Sequence, residues 1–138
     1  VVDVLGWYWQ DAEKPLGSQL IPFGGERIFD SRDEGAALRG GEYLDLDVLP
    51  GTPEEIADVS QLVVNITAVG ATKPGVLTAW SGEGTRPRAS TVNYEPGVIA
   101  PNMAVVQAAH GGGAAGFRIS NTTSGSVHVV VDLVFHGA

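Results

Sequence analysis

The sequence predicts an all-β domain, an antiparallel β-sandwich of about eight strands with either jelly-roll or immunoglobulin-like connectivity. Three observations carry this. The dominant hydrophobic period is two rather than 3.6. Glycine is abundant, 19 of 138 residues, and Gly, Pro and Asn cluster between the apolar runs. The runs themselves are short and regularly spaced, as in sandwiches and barrels.

The strand candidates follow in order. Arg27–Ser31 is the first. In "YLDLDV", Leu44, Leu46 and Val48 alternate with Asp45 and Asp47, a half-buried pattern. In "LVVNITAV", Leu62, Val64, Ile66 and Ala68 share one face; Val63, Asn65, Thr67 and Val69 share the other. Val76–Ser81, Ser90–Tyr94, Asn102–Ala109 and Gly116–Ser120 follow. In "SVHVVVDLVFH", Val127, Val129, Val131, Leu133 and Phe135 form one apolar face. Turn chemistry separates these runs at Arg39-Gly40-Gly41, Lys73-Pro74-Gly75, Ser81–Pro87, Glu95-Pro96-Gly97, Gly111-Gly112-Gly113 and Asn121–Gly125. One helical turn is expected at Thr52-Pro53-Glu54-Glu55. Thr is a good N-cap, Pro suits the first helical position, and the acids favour the positive end of the helix dipole.

The chain is long enough for one sizeable core. The domain is expected over 21–138. Residues 10–20, "QDAEKPLGSQL", lack periodicity and read as a linker. Val1-Val2-Asp3 repeats as Val130-Val131-Asp132, so residues 1–9 read as the closing strand of a preceding repeat or as an N-terminal edge strand. Such an orphan strand seeks a neighbour, which predicts self-association by strand donation or packing on adjacent repeat domains.

A net charge of −8 without any basic run excludes nonspecific nucleic-acid binding. No apolar run approaches the ~20 residues of a membrane span, so no membrane insertion is expected. The absence of cysteine removes disulfides and thiolate metal sites.

The segments "RIFDSR" (27–32), "VVNITAV" (63–69), "GVLTAW" (75–80), "TRPRASTVNY" (85–94), "APNMAVV" (100–106) and "SGSVHVVVDL" (124–133), in this order and spacing, resemble a family of repeated all-β domains. These occur in large secreted and cell-surface proteins of actinobacteria. Copies carry an R-(I/L)-x-D-(T/S)-R opening, a central V-x-N-(V/I)-T strand, an R-P-x-x-S-x-x-N segment and a closing (V/I)-V-D-(V/L)-x-G-(Y/W)-(F/Y). The resemblance spans roughly residues 21–135. It implies a secreted or surface location and a role in attachment, recognition or spacing, with no shared catalytic activity. The chain departs from the pattern at Phe135-His136-Gly137, where a Gly and two aromatics are expected.

Several residue groups invite chemistry. Trp80, Arg86, Ser90, Asn93 and Tyr94 surround the "SGEGTRPRAS" loop and make a candidate glycan site, since aromatics beside Arg and small polar groups suit a polyol. The competing reading makes Trp80 a core residue and the loop a structural one. Trp7, Tyr8 and Trp9 are candidates for inter-domain packing or assembly; Trp7 and Trp9 would share one strand face as a stacking platform. Arg27, Asp30, Arg32 and Asp132 are expected to form charge pairs that fix strand register. Asn65, Thr67 and Asn102 are expected to be structural polar residues, although Asn65–Thr67 and Asn121–Thr123 both match the glycosylation sequon. His128, Asp132 and His136 share one strand face, but a spacing of four on a strand spans about 13 Å, too far for one ion. The acids of "DSRDEG" (30–35), with Asp45 and Asp47, lack the spacing of a preformed calcium loop. "GGGAAG" (111–116) reads as a hairpin turn. No metal or cofactor is expected. With no nucleophile elbow, zinc-protease helix motif or phosphate loop in the chain, catalysis finds little support, although the plentiful carboxylates leave a glycosidase pair open.

The leading expectation is a non-catalytic spacer or adhesive repeat, with glycans or cell wall as candidate ligands. The alternatives are a carbohydrate-binding accessory module of a secreted hydrolase and, less favoured, a hydrolase fragment with a carboxylate pair in a cleft.

Overall fold

A computed structural model of the chain describes Val2, Val4 and residues 20–137. Two antiparallel sheets pack face to face around one core. The strands are β1 (Leu20–Asp30), β2 (Tyr43–Pro50), β3 (Gln61–Val69), β4 (Gly75–Trp80), β5 (Val92–Tyr94), β6 (Ala100–Gln107), β7 (Ala109–Gly111), β8 (Ala114–Asn121) and β9 (His128–Gly137). Two short helices interrupt them, α1 (Ser31–Glu34) and α2 (Pro53–Ala57). The first sheet has the order β1-β9-β3-β6, the second β2-β8-β4-β5, with β7 also paired to β8. Except at β4–β5 and β7–β8, consecutive strands pass from one sheet to the other. This is the jelly-roll arrangement, not the immunoglobulin one, and it selects between the two topologies that the sequence leaves open.

The core forms where the period-two pattern places it. Leu62, Val64, Ile66 and Ala68 of β3 and Val129, Val131 and Leu133 of β9 are fully buried. They face Leu46, Val48, Leu77, Phe117 and Ile119 from the second sheet within one hydrophobic cluster. Phe135 departs from its expected place on this face. Val63 pairs with Phe135 but Val64 pairs with Leu133, so the β9 register shifts at Val134. An extra residue in one strand turns all later side chains over, and Phe135 joins the outer face with Val63. The neighbouring β1 bulges at the same level, between Pro22 and Glu26.

Several boundaries differ from expectation. β1 begins at Leu20, the last residue of the expected linker and well ahead of Arg27, and β8 begins at Ala114 rather than Gly116. Ser31 opens α1 instead of ending β1, because the Asp30 carboxylate accepts from the Arg32 N–H and caps the turn. Ser90 lies outside β5. The expected strand over 102–109 divides into β6 and β7, and β7 makes a hairpin with β8. Gly112 and Gly113 form its two-residue turn, both at positive φ (61° and 81°), the backbone a type I′ turn requires. The expected helical turn is α2, where Thr52 and Glu55 make a reciprocal capping box.

Of the residues expected to form a repeat end, Val2 and Val4 are exposed and belong to no strand. Trp7, Tyr8, Trp9 and the linker residues 10–19 lie outside the described residues.

Candidate functional site

The site begins with alternation along three neighbouring strands. On β2, Leu46 and Val48 turn inward, so Tyr43, Asp45 and Asp47 turn to solvent. Cross-strand pairing then sets Tyr43 beside Ser120, Asp45 beside Arg118 and Asp47 beside Gly116 of β8. On the far side of β8, Trp80 of β4 pairs with Arg118. Tyr43, Asp45, Arg118 and Trp80 thus meet on the outer face of the second sheet.

Arg118 organises them. Its guanidinium meets Asp45 as a fork, with Nε and Nη2 donating to the two carboxylate oxygens at 2.6 and 2.7 Å. It stacks over the Tyr43 ring, 3.7 Å from the centroid, and stands 5.8 Å from that of Trp80. The Trp80 indole N–H donates to Ser120 Oγ at 3.0 Å, which fixes the ring's edge. The hydrogen bonds and charge of Arg118 lower the Asp45 pKa, and those of Asp45 raise that of Arg118. Tyr43 stays 56% exposed. The result is a cluster of two rings about one guanidinium, held on the sheet by the Asp45 and Ser120 hydrogen bonds.

Beside this cluster lies a depression of about 270 Å³, lined by Asp45, Asp47, Glu83, His110, Arg118 and the backbone of Gly111, Gly112 and Gly116. Gly116 has a packing reason to lack a side chain, since a Cβ there would collide with the Leu46 carbonyl. Its bareness keeps the floor of the depression at backbone level.

The sequence candidates distribute differently. Trp80 belongs to the outer layer. Tyr94 does not face solvent; it is 1% exposed. Its hydroxyl lies 2.8 Å from both Asn121 Oδ1 and Thr123 Oγ1. Inward alternation on the short β5, with Val92 also buried, puts it there. Arg86, Ser90 and Asn93 are exposed and line neither the depression nor the groove beside Trp80. That groove, about 290 Å³, runs between the Ser81–Pro87 loop and the end of β6.

The polar residues expected to be structural form local networks. Arg32 grips Asp30 through two hydrogen bonds of 2.9 and 2.6 Å. Arg27 reaches Asp132 across the β1–β9 ladder at 3.0 Å and approaches Asp30 at 3.9 Å. The Arg32 hydrogen bonds hold the Asp30 pKa at about 2. Asn65 Nδ2 lies 3.5 Å from Thr67 Oγ1, and Asn102 donates to the Thr91 carbonyl at 2.7 Å. His128 meets the buried Ser31 hydroxyl while His136 stacks edge-on to Phe23. Among the described residues, no three metal-ligating side chains converge.

Asn121, which reads in the sequence as ordinary turn chemistry, is a core residue. It is 1% exposed. Its amide N–H groups donate to the Leu38 and Gly125 carbonyls, and its oxygen accepts from Tyr94 and Thr123. Tyr43, Asp45 and Arg118 are also absent from the sequence-derived site. The alternation of "YLDLDV" was a signal for an outward face on β2, but the pairing with β8 was not encoded locally.

Comparison with protein-family models, curated proteins and solved structures finds no match to the chain.

Proposed function

We propose that this domain is a non-catalytic adhesive or spacer module of a secreted or cell-surface protein. Its ligand is a glycan or cell-wall polymer bound on the outer face of the second sheet. The observation that carries the proposal is the Tyr43–Arg118–Trp80 layer with Asp45, set beside a shallow open depression. Planar rings cover the apolar faces of sugar rings, and a preorganised Arg–Asp fork addresses vicinal hydroxyls. The acidic net charge and the resemblance to actinobacterial surface repeats support the location.

Asp45 does not suit the general acid of a hydrolase on this face. A glycosidase needs one carboxyl group held protonated near neutrality. Asp45 is driven the other way by Arg118.

Polysaccharide pull-down and a glycan array test the proposal. The chain is expected to be retained on at least one cell-wall or plant polysaccharide, and Tyr43→Ala and Trp80→Ala are each expected to weaken retention at least about tenfold, the loss of one stacking contact. Retention on no polysaccharide, or retention unchanged in both variants, would overturn it.

A further inference from the structure

We propose that the edge of β6, unpaired among the described residues, is a self-association site, at which two copies of this chain pair antiparallel and join their first sheets into one. The sheet edges differ in what they carry. Natural edges are blunted by charge, proline, bulges or shortness. The β1 edge has Pro22, a Gly24-Gly25 bulge, Glu26 and Arg27. The β2 edge has Asp45, Asp47 and Pro50, and β5 and β7 are each only three residues long. The β6 edge has no charged side chain from Val98 to Gln107, within a chain of net charge −8. Its apolar side chains are open, with Ile99 69%, Met103 56% and Val105 38% exposed.

The backbone agrees. Ala108 donates its N–H to the Ser60 carbonyl, toward β3. By alternation, Val106 and Ala104 also address β3, while Met103, Val105 and Gln107 turn their N–H and C=O groups to the free side. Pro101, which lacks an N–H, falls on the same free side, where a proline is tolerated.

Charge selects the occupant. Two acidic copies that meet at β2 would bring the acids of that strand, Asp47 above all, toward their own counterparts. At β6 the strand itself brings no charge, and Glu83 lines only the groove beside it. A twofold axis through Val105 sets Val105 against its own counterpart and Met103 against Gln107 of the partner subunit. This isologous register leaves Pro101 outside the paired stretch. The second copy also closes the groove lined by Trp80, Pro87 and Val105.

Sedimentation of the full chain tests the proposal. The mass is expected to rise with concentration toward twice 14.3 kDa. Val105→Pro removes only the outward N–H and leaves the β3 ladder whole; Val105→Lys places a charge on the axis. Both variants are expected to remain monomeric with an unchanged circular dichroism spectrum and Tm. A wild-type chain that stays monomeric to about 1 mM, the weak end of specific association, would overturn the proposal. So would a Val105→Pro chain that dimerises like wild type. Loss of the dimer on deleting residues 1–9, with Val105→Pro still dimeric, would assign association to strand donation instead.

Discussion

At the residue scale, the molecule is fixed by a few buried polar side chains with complete sets of partners. Asn121 joins three segments: the bridge at Leu38, the turn at Gly125 and the β5 residue Tyr94. Buried amides of this kind contribute mainly because leaving their partners unpaired is costly. Tyr94→Phe removes a hydroxyl shared by Asn121 and Thr123 and is expected to lower stability by about 1–3 kcal/mol in urea unfolding. Asp30 supplies a pH signature. Its ordinary pKa of 3.8 falls to about 2 in the folded state. The group therefore stabilises fully above the unfolded value, and that stabilisation fades as pH falls through 3.8 toward 2. Asp30→Asn keeps an acceptor for the Arg32 N–H but loses the charge. Acid titration is expected to show the variant less stable at pH 6 and the two proteins converging as pH approaches 2; a constant difference across that range would contradict the ion-pair assignment. Neither Asn121 nor Tyr94 was legible as a core group in the sequence. An Asn before Thr-Thr-Ser-Gly has the composition of a surface turn, and burial was decided by the distant segments that meet there.

At the element scale, the sequence was informative wherever periodicity met an uninterrupted ladder. The alternation in β3 places Leu62, Val64, Ile66 and Ala68 in the core, as found. It failed for Phe135 because a single extra residue at Val134 reverses the face, and a bulge leaves no mark on hydrophobic alternation. The β7–β8 hairpin is the converse case, since the consecutive glycines at 111–113 announce a tight turn. Gly113 has open space around its α-carbon and φ of +81°. Gly113→Ala therefore meets only backbone strain, and it is expected to cost about 1–2 kcal/mol by thermal unfolding. A neutral effect would mean that the turn relaxes to another type. The candidate site was half legible for the same reason. Trp80 stood out as a rare aromatic, but Tyr43, Asp45 and Arg118 become neighbours only through the β2–β8 register, which links residues far apart in the chain.

At the scale of the whole molecule, two sheets with interleaved strand order leave two different surfaces exposed. The outer face of the second sheet presents an aromatic and charged cluster. The edge of the first sheet presents uncharged backbone at β6 that is unpaired among the described residues. The proposed recognition on the one and the proposed association on the other would suit an adhesive module, because paired copies would present their sites together and gain avidity. The central claim is ligand recognition by the Tyr43–Arg118–Trp80 layer. Its most direct measurement is an amide and indole chemical-shift titration of the full chain with a soluble cell-wall or plant oligosaccharide that the intact polymer binds. The account predicts saturable shifts at the Trp80 indole and at Tyr43, Asp45 and Arg118, with the amides of β1 and β9 unmoved. Saturable shifts confined to Arg86, Ser90 and Asn93, or to the first sheet, would contradict it.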